Sequence, residues 1–74
     1  MKDGSEDLFK IALGKRITDL RNERAVGLRK FALIADMEHH QLIDIEKGRR
    51  DPRILTLRKI AAAFEMSLPE LLSF

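Results

Sequence analysis

The sequence predicts an all-α fold: a compact bundle of five short helices around one core. Three observations lead there. Apolar residues recur every three to four positions in successive segments. Strand-like alternation is absent, and stop signals at Gly48, Asp51-Pro52 and Ser67-Leu68-Pro69-Glu70 cut the chain into short pieces. At 74 residues the chain has room for one domain, read as an N-terminal extension over 1–7 and a helical domain over 8–74. A chain of this size buries only about 60% of its unfolded surface, for a stability of roughly 4 to 11 kcal/mol.

The first helix is expected from Ser5, read as its N-cap, with Glu6 and Asp7 in the first turn where acids complement the helix dipole. Leu13, Ile17 and Leu20 form its apolar stripe, extended by Leu8 or Phe9, and the helix ends near Arg24. A second helix of two turns covers Leu28 to Ala35 with Phe31, Ala32 and Ala35 inward. Asp36-Met37-Glu38 is long enough only for a tight turn, and aspartate tolerates a left-handed backbone. The third helix runs from about His39 to Lys47, closed by Gly48 and followed by a loop to Arg53. The fourth covers about Ile54 to Phe64, with Leu57, Ile60, Ala61 and Phe64 on one stripe. Ser67 to Glu70 is a capping box with proline in the first turn, opening a fifth helix that holds Leu71, Leu72 and Phe74.

The third helix has two sides. Leu42 and Ile45 are apolar; opposite them His39, His40, Ile43, Asp44 and Lys47 fall within an arc of about 140° at 100° per residue. A small residue, Ala32, followed by a tight turn, lets the second and third helices pack at a steep angle. Such a helix presents one continuous outward face, of the kind laid into a major groove. Basic residues follow it directly: Lys47, Arg49, Arg50 and Arg53.

LGKRITDLR, FALIADM, LIDIEKGRRDP and TLRKIAAAFEMSLPELL, in this order and spacing, resemble the phage-repressor and Cro-type helix-turn-helix family, over about residues 13 to 72. The resemblance implies a lambda-repressor-like domain that binds double-stranded DNA as a homodimer and regulates transcription. It makes the third helix the recognition helix, with His39, His40, Ile43 and Asp44 facing bases. Arg29, Lys47, Arg49, Arg50 and Arg53 would hold phosphates, where each neutralised charge releases counterions. It also matches Arg21 and Glu46 to an internal salt bridge between the first and third helices. Leu68, Leu71, Leu72 and Phe74 are the dimer candidates; closing the monomer's own core is the other reading, foremost for Leu68 and Leu71.

The chain departs from the family pattern at several points. Gly27 and Leu28 stand where a serine cap and a glutamine are usual, which leaves only backbone amides there to meet a phosphate. Ala25, Asp36 and Glu65 replace glycines at three turns, which are therefore strained or reshaped. On the recognition face, Glu38, Ile43 and Asp44 replace small polar or basic residues. An aspartate can accept from cytosine N4 and an isoleucine can touch a thymine methyl, so an unusual base reader is one reading. The other is a helix-turn-helix module that binds protein, antitoxin-like or as a regulator's partner; an exposed Leu28, Leu33 and Ile43 would favour it.

Adjacent His39 and His40 point about 100° apart and cannot chelate one ion as an i, i+4 pair would. With no cysteine, no glycine-rich phosphate loop and no activated nucleophile, no enzyme activity, metal or cofactor is expected. No apolar run approaches the roughly 20 residues of a membrane span, and the acidic start lacks a signal peptide's pattern. The expected location is cytoplasmic.

Overall fold

The computed structural model describes residues 4–74. It contains α1 (Ser5–Glu23), α2 (Leu28–Ile34), α3 (His39–Glu46), α4 (Ile54–Ala63) and α5 (Leu68–Leu71), with no strand among the described residues. Residues 1–3 of the expected N-terminal extension lie outside them, and Ser5 to Asp7 already belong to α1.

Leu13, Ile17 and Leu20 are buried as their spacing predicts. Two expectations for α1 need correction. Gly4, at φ 86, occupies the N-cap, and Ser5 is the first helical residue. Leu8 and Phe9 do not join the core stripe; they are 68% and 56% exposed. Nineteen residues make a helix about 28 Å long, more than the 24 and 22 Å short dimensions of the molecule, and among the described residues its first turns lie beyond the core.

The core is built where the helices converge. Phe31 and Phe64 stack with ring centroids 4.4 Å apart, and Ile17, Leu42, Ile45, Ile60 and Leu71 are fully enclosed around them. α3 packs against α1 and α2, and α5 packs against α4. The capping box is present: the Ser67 hydroxyl accepts from the Glu70 N–H at 3.2 Å, and Glu70 Oε1 accepts from the Ser67 N–H at 3.0 Å. Hydrogen bonding from the Ser67 backbone N–H, then from its hydroxyl, holds the Glu70 carboxyl below the ordinary glutamate range, and the single turn that the box stabilises delivers Leu71 to the core.

α1 to α4 all end in the same way. The residue after each C-cap is left-handed: Ala25 (φ 54), Asp36 (φ 55), Gly48 (φ 72) and Glu65 (φ 57). At each end two amides fold back on the last turn, as in Val26 N–H to Arg21 O at 3.2 Å with Ala25 N–H to Asn22 O at 3.0 Å. This is the Schellman arrangement. The three turns without glycine are therefore strained rather than reshaped. Their next residues, Val26, Met37 and Met66, pack on the core; at α3 the equivalent residue is Arg49, which is exposed. The hydrophobic contact that usually closes the motif is missing only where the chain turns toward the outward face of α3.

Candidate nucleic-acid interface

The orientation of α3 is set from behind. Gly14 of α1 lies against its C-terminal carbonyls: a Cβ there would stand 2.6 Å from Ile45 O and closer still to Glu46 O. Beside this contact the Glu46 carboxylate accepts from Arg21 Nε at 2.7 Å and from Arg21 Nη2 at 2.9 Å, and Thr18 Oγ1 lies 2.9 Å from Glu46 Oε1. Arg21 Nη1 also donates to Val26 O at 2.9 Å, tying this pair to the turn before α2. The Glu46 bond holds the Arg21 guanidinium above its ordinary value despite desolvation. Removing one member of so enclosed a pair leaves a charge without compensation, at a cost of about 3 to 5 kcal/mol. Sequence reasoning missed Gly14 and Thr18. A glycine inside a helical run was the available signal.

With Leu42 and Ile45 buried, α3 turns His40, Ile43, Asp44 and Lys47 outward at positions i, i+3, i+4 and i+7. His40 and Lys47 are exposed; Ile43 and Asp44 are half-buried. His39 sits at the flank, its ring centroid 5.4 Å from that of His40. Lost hydration, then the charges of Arg29 and His40, hold its pKa below the ordinary histidine value. Arg29 of α2 is thus within electrostatic reach of the same edge of α3. No three His, Cys, Asp or Glu side chains among the described residues gather as a metal site would require.

The C-terminal turn of α3 sends the basic loop back over the helix. Arg49 N–H donates to Asp44 O at 2.9 Å, and Arg50 Nη2 then lies 3.6 Å from Asp44 Oδ2. Both side chains are more than a third exposed, so the pair is worth at most about 1 kcal/mol. Lys47, Arg49 and Arg53 are exposed around it, as is Arg29, and among the described residues these four form no ion pair.

The other cations are largely engaged inside the molecule. Arg16 donates to Leu71 O (3.1 Å) and Glu70 O (2.8 Å). Arg24 donates to Phe64 O at 3.1 Å with its guanidinium 5.0 Å from the Phe64 ring centroid. Lys59 donates to Asp36 O at 3.0 Å. Lys10 and Lys15 pair with Asp7 and Asp19. The positive charge of α1 therefore closes helix ends and faces its own acids; among the described residues Arg29, Lys47, Arg49 and Arg53 beside α3 are exposed without an ion pair, as are Lys30 of α2 and Arg58 of α4.

Of the dimer candidates, Leu71 is fully enclosed and offers no surface to a second subunit; it closes the core. Leu68 and Leu72 are partly buried against that core. Phe74 is half exposed and meets the Phe9 ring at 5.5 Å. Leu28 packs on the core and Ile43 is half-buried, so of the three apolar residues that would favour a protein contact only Leu33, 81% exposed, stands fully open. No described helix is long and apolar enough to cross a membrane.

A model of the helix-turn-helix domain matches residues 14–73. Control protein C.MunI of Mycoplasma sp is 32% identical over 66 residues, 88% of this chain and 89% of that protein. The HTH-type transcriptional regulator PuuR of Escherichia coli (strain K12) is 30% identical over 63 residues, 85% of this chain and 34% of PuuR, so the chain spans about a third of that relative's length. Among solved structures, an HTH_3 family transcriptional regulator from Vibrio cholerae matches with a TM-score of 0.83 at 30% identity, over 89% of this chain and 37% of that one.

Proposed function

This chain belongs to the helix-turn-helix domain family, of the phage-repressor and Cro type, and from that premise we propose that it binds double-stranded DNA sequence-specifically as a small transcriptional regulator. α3 enters the major groove with His39, His40, Ile43 and Asp44 toward base edges. Arg29, Lys47, Arg49, Arg50 and Arg53 hold phosphates on either side. The observation that carries the reading is the division of labour among cations: those of α1 and Lys59 are engaged within the fold, while Arg29, Lys47, Arg49 and Arg53 surround the outward stripe of α3. The names of its relatives, transcriptional regulators and a control protein, support the same conclusion.

The regulator acts as a homodimer on a two-fold site whose half-sites lie one helical turn, about 34 Å, apart. Phe74 is the foremost contact between subunits, with Leu68 and Leu72 beside it, because its half-exposed ring has only Phe9 for a neighbour of its kind.

Replacing Arg49 and Arg53 together with alanine tests the phosphate assignment. Two lost phosphate contacts lower affinity on every sequence alike and make the log–log salt slope shallower by about 1.8. Unchanged affinity and slope would contradict it.

A further inference from the structure

An acid in the middle of a DNA-reading face is unfavourable against phosphates, yet Asp44 sits there, half-buried and held in place. Three features fix its surroundings. Its own carbonyl anchors the loop through Arg49 N–H at 2.9 Å. Gly48, left-handed at φ 72, makes that return path, and a Cβ there would stand 2.9 Å from Ile11 Cγ1, so α1 backs the turn. Arg50 is thereby brought to 3.6 Å from the Asp44 carboxylate, whereas Lys47, Arg49 and Arg53 form no ion pair among the described residues.

Resting on the DNA-binding reading above, we propose that Asp44 is the specificity-determining residue of this interface and acts by holding Arg50. In the free protein and on non-specific DNA, the pair keeps one cation of the loop from neutralising a phosphate. Where a cytosine faces Asp44, its N4 amino group donates to the carboxylate in place of Arg50, and the released guanidinium turns to a phosphate. One base contact thereby gains a phosphate contact, while a wrong base at that position leaves Arg50 withheld. The exposure of both side chains makes the exchange cheap; an enclosed pair such as Arg21–Glu46 could not perform it.

Asp44→Asn keeps the shape and removes the charge, and the test is a two-by-two comparison of Asp44→Asn with and without Arg50→Ala. Binding to random duplex DNA is followed by fluorescence anisotropy across salt concentrations. With Arg50 present, Asp44→Asn should tighten random-sequence binding by up to about fivefold at 0.1 M salt and steepen the log–log slope by up to about 0.9, one phosphate's share. In the Arg50→Ala background the same change should do nearly nothing. The preference for cytosine at the contacted position of a selected site should fall by about tenfold with Asp44→Asn. An equal gain in both backgrounds would mean that Asp44 repels phosphates generally, and no gain in either would mean that it withholds nothing; each overturns the proposal while DNA binding itself stands. Absence of binding by the wild type and every variant at low salt is a different result, which removes the DNA reading and this inference with it.

Discussion

Ala25 and Glu65 occupy backbone positions that L-residues avoid, at φ 54 and 57. The left-handed conformation costs a side-chain-bearing residue about 1 to 2 kcal/mol, and glycine's extra freedom in the unfolded chain takes back about 0.4 to 1 of that. Ala25→Gly and Glu65→Gly should therefore each stabilise the protein by about 0.5 to 1 kcal/mol in urea denaturation. Asp36→Gly should gain less, because aspartate tolerates this conformation and its carboxylate lies 3.5 Å from Lys59. His39 supplies a residue-scale prediction about binding. Lost hydration, then the charges of Arg29 and His40, hold its pKa below the ordinary value in the free protein, and nearby DNA phosphates raise it. Binding then takes up a proton: the added affinity is complete below the free value and is lost as pH rises through the bound value. Anisotropy titrations between about pH 5.5 and 8 should show affinity rising toward acid, and His39→Gln should flatten that dependence.

Among the elements, α3 depends on the groups behind it more than on its own eight residues. Gly14→Ala improves helix propensity by about 1 kcal/mol, yet its Cβ would meet two backbone carbonyls of α3 that cannot rotate away. The packing loss wins, and the variant should be destabilised by about 1 to 3 kcal/mol. α5 is stabilised locally: Ser67→Ala should cost about 1 kcal/mol by urea denaturation. The capping box also has a pH signature. The Glu70 carboxyl is depressed by its bonds to Ser67, so its contribution is present above the unfolded glutamate value and is lost as pH falls through the folded one. Much of this was legible in the sequence. Leu13, Ile17 and Leu20 showed the buried stripe of α1, and the order serine, leucine, proline, glutamate gave the cap of α5. Leu8 and Phe9 misled because periodicity states which side of a helix is apolar, not whether another element lies opposite it.

For the whole molecule, a total stability of roughly 4 to 11 kcal/mol gives one internal ion pair large leverage. Glu46→Ala, at about 3 to 5 kcal/mol, should bring the domain close to unfolding and abolish DNA binding through the fold, visible as a lowered thermal midpoint by circular dichroism. The interface was only partly legible before the structure. The outward stripe of α3 and the cluster of Lys47, Arg49, Arg50 and Arg53 follow from spacing alone. The engagement of Arg16 and Arg24 with distant carbonyls, and of Arg50 with Asp44, depends on tertiary approach and leaves no local mark in the sequence. A count of charges along the chain therefore points to α1, while Arg29, Lys47, Arg49 and Arg53, exposed and without an ion pair among the described residues, stand beside α3. The most direct test of that account is selection from random duplex DNA, with enriched sites measured by anisotropy at two salt concentrations. The account predicts a palindromic site with half-sites one helical turn apart, bound more weakly as salt rises. No enrichment, together with negligible binding at low salt, would contradict it and assign the face of α3 to a protein partner.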